Sequence, residues 1–369
     1  MRVVVVSNDL VPEMGTPVAA PGLRASGLAA GLRAHGHDVT VVVDAAVVER
    51  YGGAVGDAAG VEVIAMDGLM PFLEDRIPVA AVLINANQAD HVFESPGVRF
   101  VYDLFAPRLL EVGQRSDGDQ AATLDRIRTR KLKALGMASA VVLNGRRKAG
   151  YAAAWLERAG RDPKAVPTVL VPMPVELFES SPDAEPRLVL GGYLQHWSRP
   201  GEWLDLVAGA AGDIPIEMVT GKHWGTSREP DPGSHLSALI ESGRVVRREP
   251  MPFDEFRRVL AGAWAFVDLF DDTLERRLAM VTRSVVALAT GVPVIHPPFT
   301  EIGSLVHGAG AGWVADPSQP AAVSEAVAAA TTDRGEVEGH GAAALALTRQ
   351  VFEPKAATAP LAALLREWS

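Results

Sequence analysis

The chain has 369 residues, 48% of them hydrophobic, and a formal net charge of −10. That length accommodates two domains of roughly 100–200 residues each, and the acidic balance argues against nucleic-acid binding driven by phosphate neutralisation. The lack of cysteine excludes disulfides, thiolate zinc sites and cysteine nucleophiles, and fits a reducing compartment.

The opening stretch, MRVVVVSNDL, reads as a buried strand closed by the turn residues Ser7, Asn8 and Asp9. Its apolar run is too short for a signal peptide, and no stretch approaches the roughly 20 apolar residues that span a bilayer. A cytoplasmic protein is expected, with membrane association limited to the periphery. The loop VPEMGTPVAAPG follows, then the amphipathic helix LRASGLAAGLRAHG with Leu23, Leu28 and Leu32 on one face, then the strand HDVTVVVD. Right-handed crossover makes the two strands parallel.

The alternation continues through VEVIAM, VAAVLIN, RFVYDLF, ASAVVLN and PTVLVP. The segment PMPVELFESSPDAEP, with prolines at 172, 174, 182 and 186, reads as a linker. A second series begins beyond it: RLVLGGY, IEMVTG, GRVVRRE, AWAFVDLF, VPVIHPP and AGWVADP. The end, APLAALLREWS, is an amphipathic helix. The expectation is an α/β protein of two tandem Rossmann-like, doubly wound domains, residues 1–172 and 173–350, facing an interdomain cleft. Residues 351–369 form a helix crossing back to the first domain.

Ligands bind beyond the carboxyl ends of parallel strands, so the loops there hold the candidate site residues. In the first loop, Gly15 and Thr16 precede a helix N-terminus suited to an anion. The spacing is not G-x-G-x-x-G, and Asp44 alone ends the second strand with an acid, so a nicotinamide cofactor is disfavoured. Asp103 closes a strand and is expected to point toward the cleft, on sugar hydroxyls or as a charge partner. In the second series, Gly192 permits close backbone approach, Tyr193, Trp197, Ser198 and Arg199 follow it, and Lys222 ends the next strand as a point charge for phosphate. Backbone groups at Glu249 and Met251 could meet a flat base.

Arg283 stands with Thr282 and Ser284 at a helix start, before the tight turn at Gly291, and Glu301 lies beyond it. Helix N-termini attract diphosphate, and an arginine there adds a charge-assisted contact. Glu275 and Arg276 are near in sequence. Glu301 either binds a sugar or ribose hydroxyl or caps the helix TEIGSLV. The histidines lack partners at ligand spacing, so no metal site is expected, and neither a P-loop nor a G-x-S-x-G elbow occurs.

The order ATGVPVI, TEIGSLV, GAGWVADP resembles the C-terminal donor-site segment of retaining GT-B glycosyltransferases, family 4 (group 1) in particular. The likeness extends along nearly the whole chain. Many members carry two glutamates separated by seven residues; here those positions are Leu278 and Val286. The resemblance implies a GT-B fold and transfer of a hexosyl or deoxysugar unit from a nucleotide-diphosphate sugar to a hydroxyl or similar acceptor, with retention, in polysaccharide or natural-product biosynthesis. In that reading Asp103, Lys222 and Arg283 are catalytic, and the nucleotide sugar is a co-substrate with no other cofactor or metal. A sugar-nucleotide epimerase of the same fold and a non-catalytic GT-B binding subunit are the alternatives.

Overall fold

The computed structural model describes residues 1–114, 119–194, 200–225 and 233–368. The chain forms two compact units, Met1–Pro174 with Glu353–Ser369, and Val175–Phe352.

Unit 1 holds a seven-stranded sheet. Its strands are β1 (Arg2–Ser7), β2 (Asp38–Asp44), β3 (Val61–Ile64), β4 (Val79–Leu83), β5 (Val98–Asp103), β6 (Ala140–Leu143) and β7 (Thr168–Leu170). They run in the order β3-β2-β1-β4-β5-β6-β7, all parallel. The central strands are continuous apolar runs because helices cover both faces, and Val4, Val6, Leu83 and Val141 lie in one core cluster. The helix Ala20–Ala34 starts earlier than the Leu23 expected from its apolar face, because Pro21 in its first turn needs no hydrogen-bonded N–H.

Unit 2 holds a six-stranded sheet in the order β10-β9-β8-β11-β12-β13, again all parallel. These strands are β8 (Leu188–Gly191), β9 (Ile216–Val219), β10 (Val245–Arg248), β11 (Ala265–Val267), β12 (Val294–His296) and β13 (Gly312–Val314). Leu188, Ile216, Val267 and Ile295 belong to its core.

The proline-rich segment is no free tether. Within unit 2, Val175 N–H donates to Phe352 O, Phe178 N–H to Ala289 O and Asp183 N–H to Gly262 O. Prolines remove strand-forming donors, yet the remaining backbone groups still find partners. The terminal helix Pro354–Glu367 belongs to unit 1 and packs on Ala20–Ala34. Gly31 permits that approach: a Cβ there would lie 2.2 Å from Pro354 O and 2.4 Å from Thr358 Oγ1. Among the described residues, no helix is long and apolar enough to cross a membrane.

Each sheet reverses direction of growth once, between β1 and β4 in unit 1 and between β8 and β11 in unit 2. Such switch points open a crevice where the loops diverge.

Candidate functional site

The unit 2 switch point is built from three short segments. β8 ends into Gly192, whose φ of 113° suits only glycine. β11 ends into Asp268, and the helix Thr282–Ala289 brings Arg283 and Ser284 as its second and third residues. A depression there is lined by Gly192, Leu194, Trp203, Met218, Asp268 and Arg283 among others. A Cβ on Gly192 would lie 3.1 Å from Arg283 Nη1 and 3.2 Å from its Cδ, so the missing side chain makes room for the guanidinium.

Arg283 is held from one side. Its Nε donates to Asp268 Oδ1 at 2.6 Å, with side-chain exposures of 20% and 1%. Among the described residues no hydrogen bond engages Nη1 or Nη2, so the outer edge of the guanidinium is left for a ligand. Burial, the largest single influence, would raise the Asp268 carboxyl, but the Arg283 cation, His296 and the Ser284 hydrogen bond together hold it below the usual carboxylate range.

Behind Asp268 runs a buried polar chain. The Ser284 hydroxyl donates to Asp268 Oδ2 and lies 3.1 Å from His296 Nδ1; His296 Nε2 lies 2.9 Å from Thr300 Oγ1. Thr300 caps the helix Glu301–Ala309 by accepting from Gly303 N–H at 2.8 Å. Ser284, His296 and Thr300 are fully buried. Burial pushes His296 down to about 4 despite the nearby Asp268, so the ring is neutral at neutral pH.

A second feature of the depression is Trp203, the first residue of the helix Trp203–Ala210. Among the described residues its buried indole Nε1 has no hydrogen-bond partner. A buried donor of this kind is costly to leave unpaired.

The other sequence-derived residues of unit 2 fall around this centre. Thr220 Oγ1 donates to Gly192 O at 2.8 Å, tying the β9 loop that carries Lys222 to the β8 loop. Tyr193 meets His223 edge-on at 4.8 Å. Glu249 is exposed and pairs with Arg247 at 2.9 Å, beside Gly221, while Met251 is half-buried before the helix Phe253–Leu260. Thr282 and Glu301 are the half-buried first residues of their helices. Glu275 turns inward: it is 2% exposed and accepts from Arg276 Nε at 2.6 Å, while Arg276 lies over the Phe270 ring. Trp197, Ser198 and Arg199 lie outside the described residues.

In unit 1, Gly15 ends a short turn at φ 69°, and Thr16 is fully buried, its hydroxyl without a hydrogen-bond partner among the described residues. Asp103, expected on sugar hydroxyls or as a charge partner, is a charge partner, buried with Arg24. Its oxygens accept from Arg24 Nε at 2.7 Å and Nη2 at 3.3 Å, and Arg24 Nη1 donates to Val171 O and Pro172 O. Both side chains have no exposure. The physical reason is Arg24 itself: a cation buried in the helix Ala20–Ala34 requires a carboxylate, and Asp103 supplies it. Further buried charges lie nearby. Lys131 donates to Tyr151 OH at 2.8 Å, and burial, reinforced by Lys148, lowers it to about 7.

Sequence reasoning passed over Asp268, Thr300 and Trp203. The signal for Asp268 was present, since AFVD repeats the strand-then-Asp pattern of FVYD. Thr300 is legible as a helix cap, and nothing in sequence marks Trp203 beyond its aromaticity.

No family model and no curated protein matches the sequence. Solved structures share its fold along its whole length. A sucrose-phosphate synthase from Thermosynechococcus elongatus superposes with a TM-score of 0.70 at 15% identity, covering 100% of this chain and 99% of that one. HepE from Anabaena, in complex with UDP and glucose, does so with a TM-score of 0.67 at 14% identity and full coverage of both chains. An alpha-glucosyltransferase in complex with UDP gives 0.68 at 9% identity, covering 99% of this chain and 100% of that one. Two Rossmann-like units with all-parallel sheets give the chain the GT-B architecture of these proteins.

Proposed function

We propose that the chain is a glycosyltransferase that moves a sugar from a nucleoside-diphosphate sugar to a hydroxyl or similar acceptor, with unit 2 holding the nucleotide and unit 1 the acceptor. The observation that carries this reading is Arg283, pinned through Nε by Asp268 at the unit 2 switch point, with no other hydrogen bond among the described residues. An arginine so placed, at the start of a helix, suits a diphosphate. The complexes of similarly folded proteins with UDP and with UDP and glucose agree with that ligand class.

Cleavage of the sugar–phosphate bond leaves a nucleoside diphosphate on which charge develops. In this reading Arg283 and the N–H groups opening the helix Thr282–Ala289 stabilise that charge, with Lys222 as a second cation. The departing phosphate takes the acceptor proton, so no separate base is required. Glu301 and the backbone at Glu249 and Met251 are assigned to the ribose and base, and the Trp203 N–H to a donor oxygen. Retention, likeness to family 4, hexosyl or deoxysugar transfer, independence of metal and a cytoplasmic setting complete the proposal. Asp103 serves as the anchor of Arg24 rather than touching sugar.

The test begins with thermal shift and calorimetric titration of UDP, ADP, GDP, CDP and dTDP. Arg283→Ala should weaken the best of them by a factor of about 10–100, the worth of a charge-assisted contact. Turnover of the matching sugar nucleotide should then require an added acceptor and persist in EDTA. Wild-type affinity in Arg283→Ala would return that residue to the ordinary surface.

A further inference from the structure

The chain behind Asp268 has a direction that donor counting settles. An ionised carboxylate only accepts, so the Ser284 hydroxyl spends its one proton on Asp268. His296 Nδ1, 3.1 Å from the same oxygen, must therefore carry a hydrogen and donate to it. The ring being neutral, Nε2 is a lone pair and accepts from the Thr300 hydroxyl at 2.9 Å. Thr300 Oγ1 in turn accepts from Gly303 N–H. Every proton has one place, and no link can reverse without leaving a buried polar atom unsatisfied.

We infer that His296 is a positioning residue for the donor diphosphate: acting through Ser284 and Asp268, it holds the Arg283 guanidinium with its outer edge facing the ligand. This rests on the function proposed above. An unrestrained arginine loses rotamer entropy when it is fixed on a ligand. Tying Nε to a carboxylate that is itself tied meets that cost in the folded protein, before substrate arrives. The same chain ends on the cap of the helix that begins with Glu301, so one set of bonds sets both Arg283 and the start of that helix. An apolar residue could fill the His296 position in a core that served packing alone. A fully satisfied ring on β12 instead orders the polar groups on either side of it. The Phe270 ring, edge-on at 5.4 Å, closes off the remaining face.

Two substitutions separate the ring's hydrogen bond from its bulk. Asparagine presents a donor near the place of Nδ1 and so can still serve Ser284; leucine presents none. The experiment measures dissociation constants of the best-binding nucleoside diphosphate and of its monophosphate. The proteins are wild type, His296→Leu, His296→Asn and Ser284→Ala, each also combined with Arg283→Ala. His296→Leu and Ser284→Ala should weaken the diphosphate by about tenfold and the monophosphate by less, while His296→Asn stays within about threefold of wild type. In the Arg283→Ala background the further loss should vanish, because residues acting through one partner are not additive. Melting temperatures identify variants that fail to fold, and Ser284→Ala, the smallest change, carries the test if His296→Leu does.

Folded variants that bind the diphosphate like wild type would overturn the inference, as would equal losses for both nucleotides or losses that persist without Arg283. A wild-type chain that binds none of the five diphosphates would overturn the proposed function and this inference with it.

Discussion

The tripeptide Asp-Leu-Phe occurs where strands end in both units, at Asp103–Phe105 beside β5 and at Asp268–Phe270 after β11. Each aspartate pairs with an arginine from a following or preceding helix, and each phenylalanine lies under a guanidinium: Arg24 over Phe105 at 5.7 Å, Arg276 over Phe270 at 5.0 Å. The outcomes differ. Arg24 is fully enclosed and all three of its nitrogens have partners; Arg283 is 20% exposed and bonded through Nε alone. The cause is position in the sheet. β11 borders the unit 2 switch point, whereas β5 is separated from the unit 1 switch point by β4. The same local chemistry thus becomes a closed staple where loops cover it and a partly open pair where they part.

The largest effect that could break this comparison is on stability. Arg24→Met should cost about 3–5 kcal/mol, because it strands a buried carboxylate, and adding Asp103→Leu should recover much of that loss. Urea denaturation measures both. Arg283→Ala should cost well under half as much, since water can reach its place; an equal cost would make the two pairs equivalent.

Next comes acid. His296 titrates at about 4 in the folded chain against 6.5 ordinarily, so its folded-state value is depressed. The unfolded chain binds that proton first, and stability present above pH 6.5 is lost as pH falls toward 4, by about 3 kcal/mol. His296→Asn should remove that part of the slope. Denaturation at pH 7 and pH 4.5 reads it, and identical slopes in both proteins would show that the ring does not titrate as stated.

Lys131 in unit 1 changes stability with pH in the same direction, and its substitution has a smaller effect. Its folded value of about 7 lies below the ordinary 10.5, so the burial cost is fully felt below pH 7 and fades as pH rises toward 10.5. Lys131→Met should stabilise the protein by about 2 kcal/mol at pH 7, after allowing for the lost bond to Tyr151, and by less at pH 9.5. A destabilised variant at pH 7 would mean that the Tyr151 and Trp155 contacts outweigh desolvation.

The smallest difference separates two glycines. Gly192→Ala should cost roughly 1–2 kcal/mol through its positive φ and press on Arg283, weakening diphosphate binding. Gly15→Ala also has positive φ, but its Cβ would meet nothing within 4 Å, so its cost should be the backbone strain alone. Calorimetric melting separates the two, and matching losses would dismiss the contact with Arg283.

Much of the fold was legible. Buried parallel strands are written as unbroken β-branched runs, and the turn at Gly291 punctuates the chain; the last helix starts at Pro354, earlier than the APLAALLREWS stretch suggested, and carries Pro360 inside it. Arg283 could be placed at a helix start because Thr282-Arg283-Ser284 opens an apolar run. The partners of these residues were not legible. Asp103 and Asp268 carry the same local signal, and only their neighbours in space decide which one faces a crevice.

The sequence by itself determined the alternation of strands and helices, the two βα series and the residues at the strand ends, because these follow from short-range periodicity and turn chemistry. Tertiary structure alone decided that Arg24 would consume Asp103, and that Asp268 would hold Arg283 with Ser284, His296 and Thr300 behind it. Those bonds join residues 4 to 79 positions apart, and the pairs with Asp103, Asp268 and Ser284 are separated by 12 or more. Such pairings depend on strand order, which no local pattern encodes.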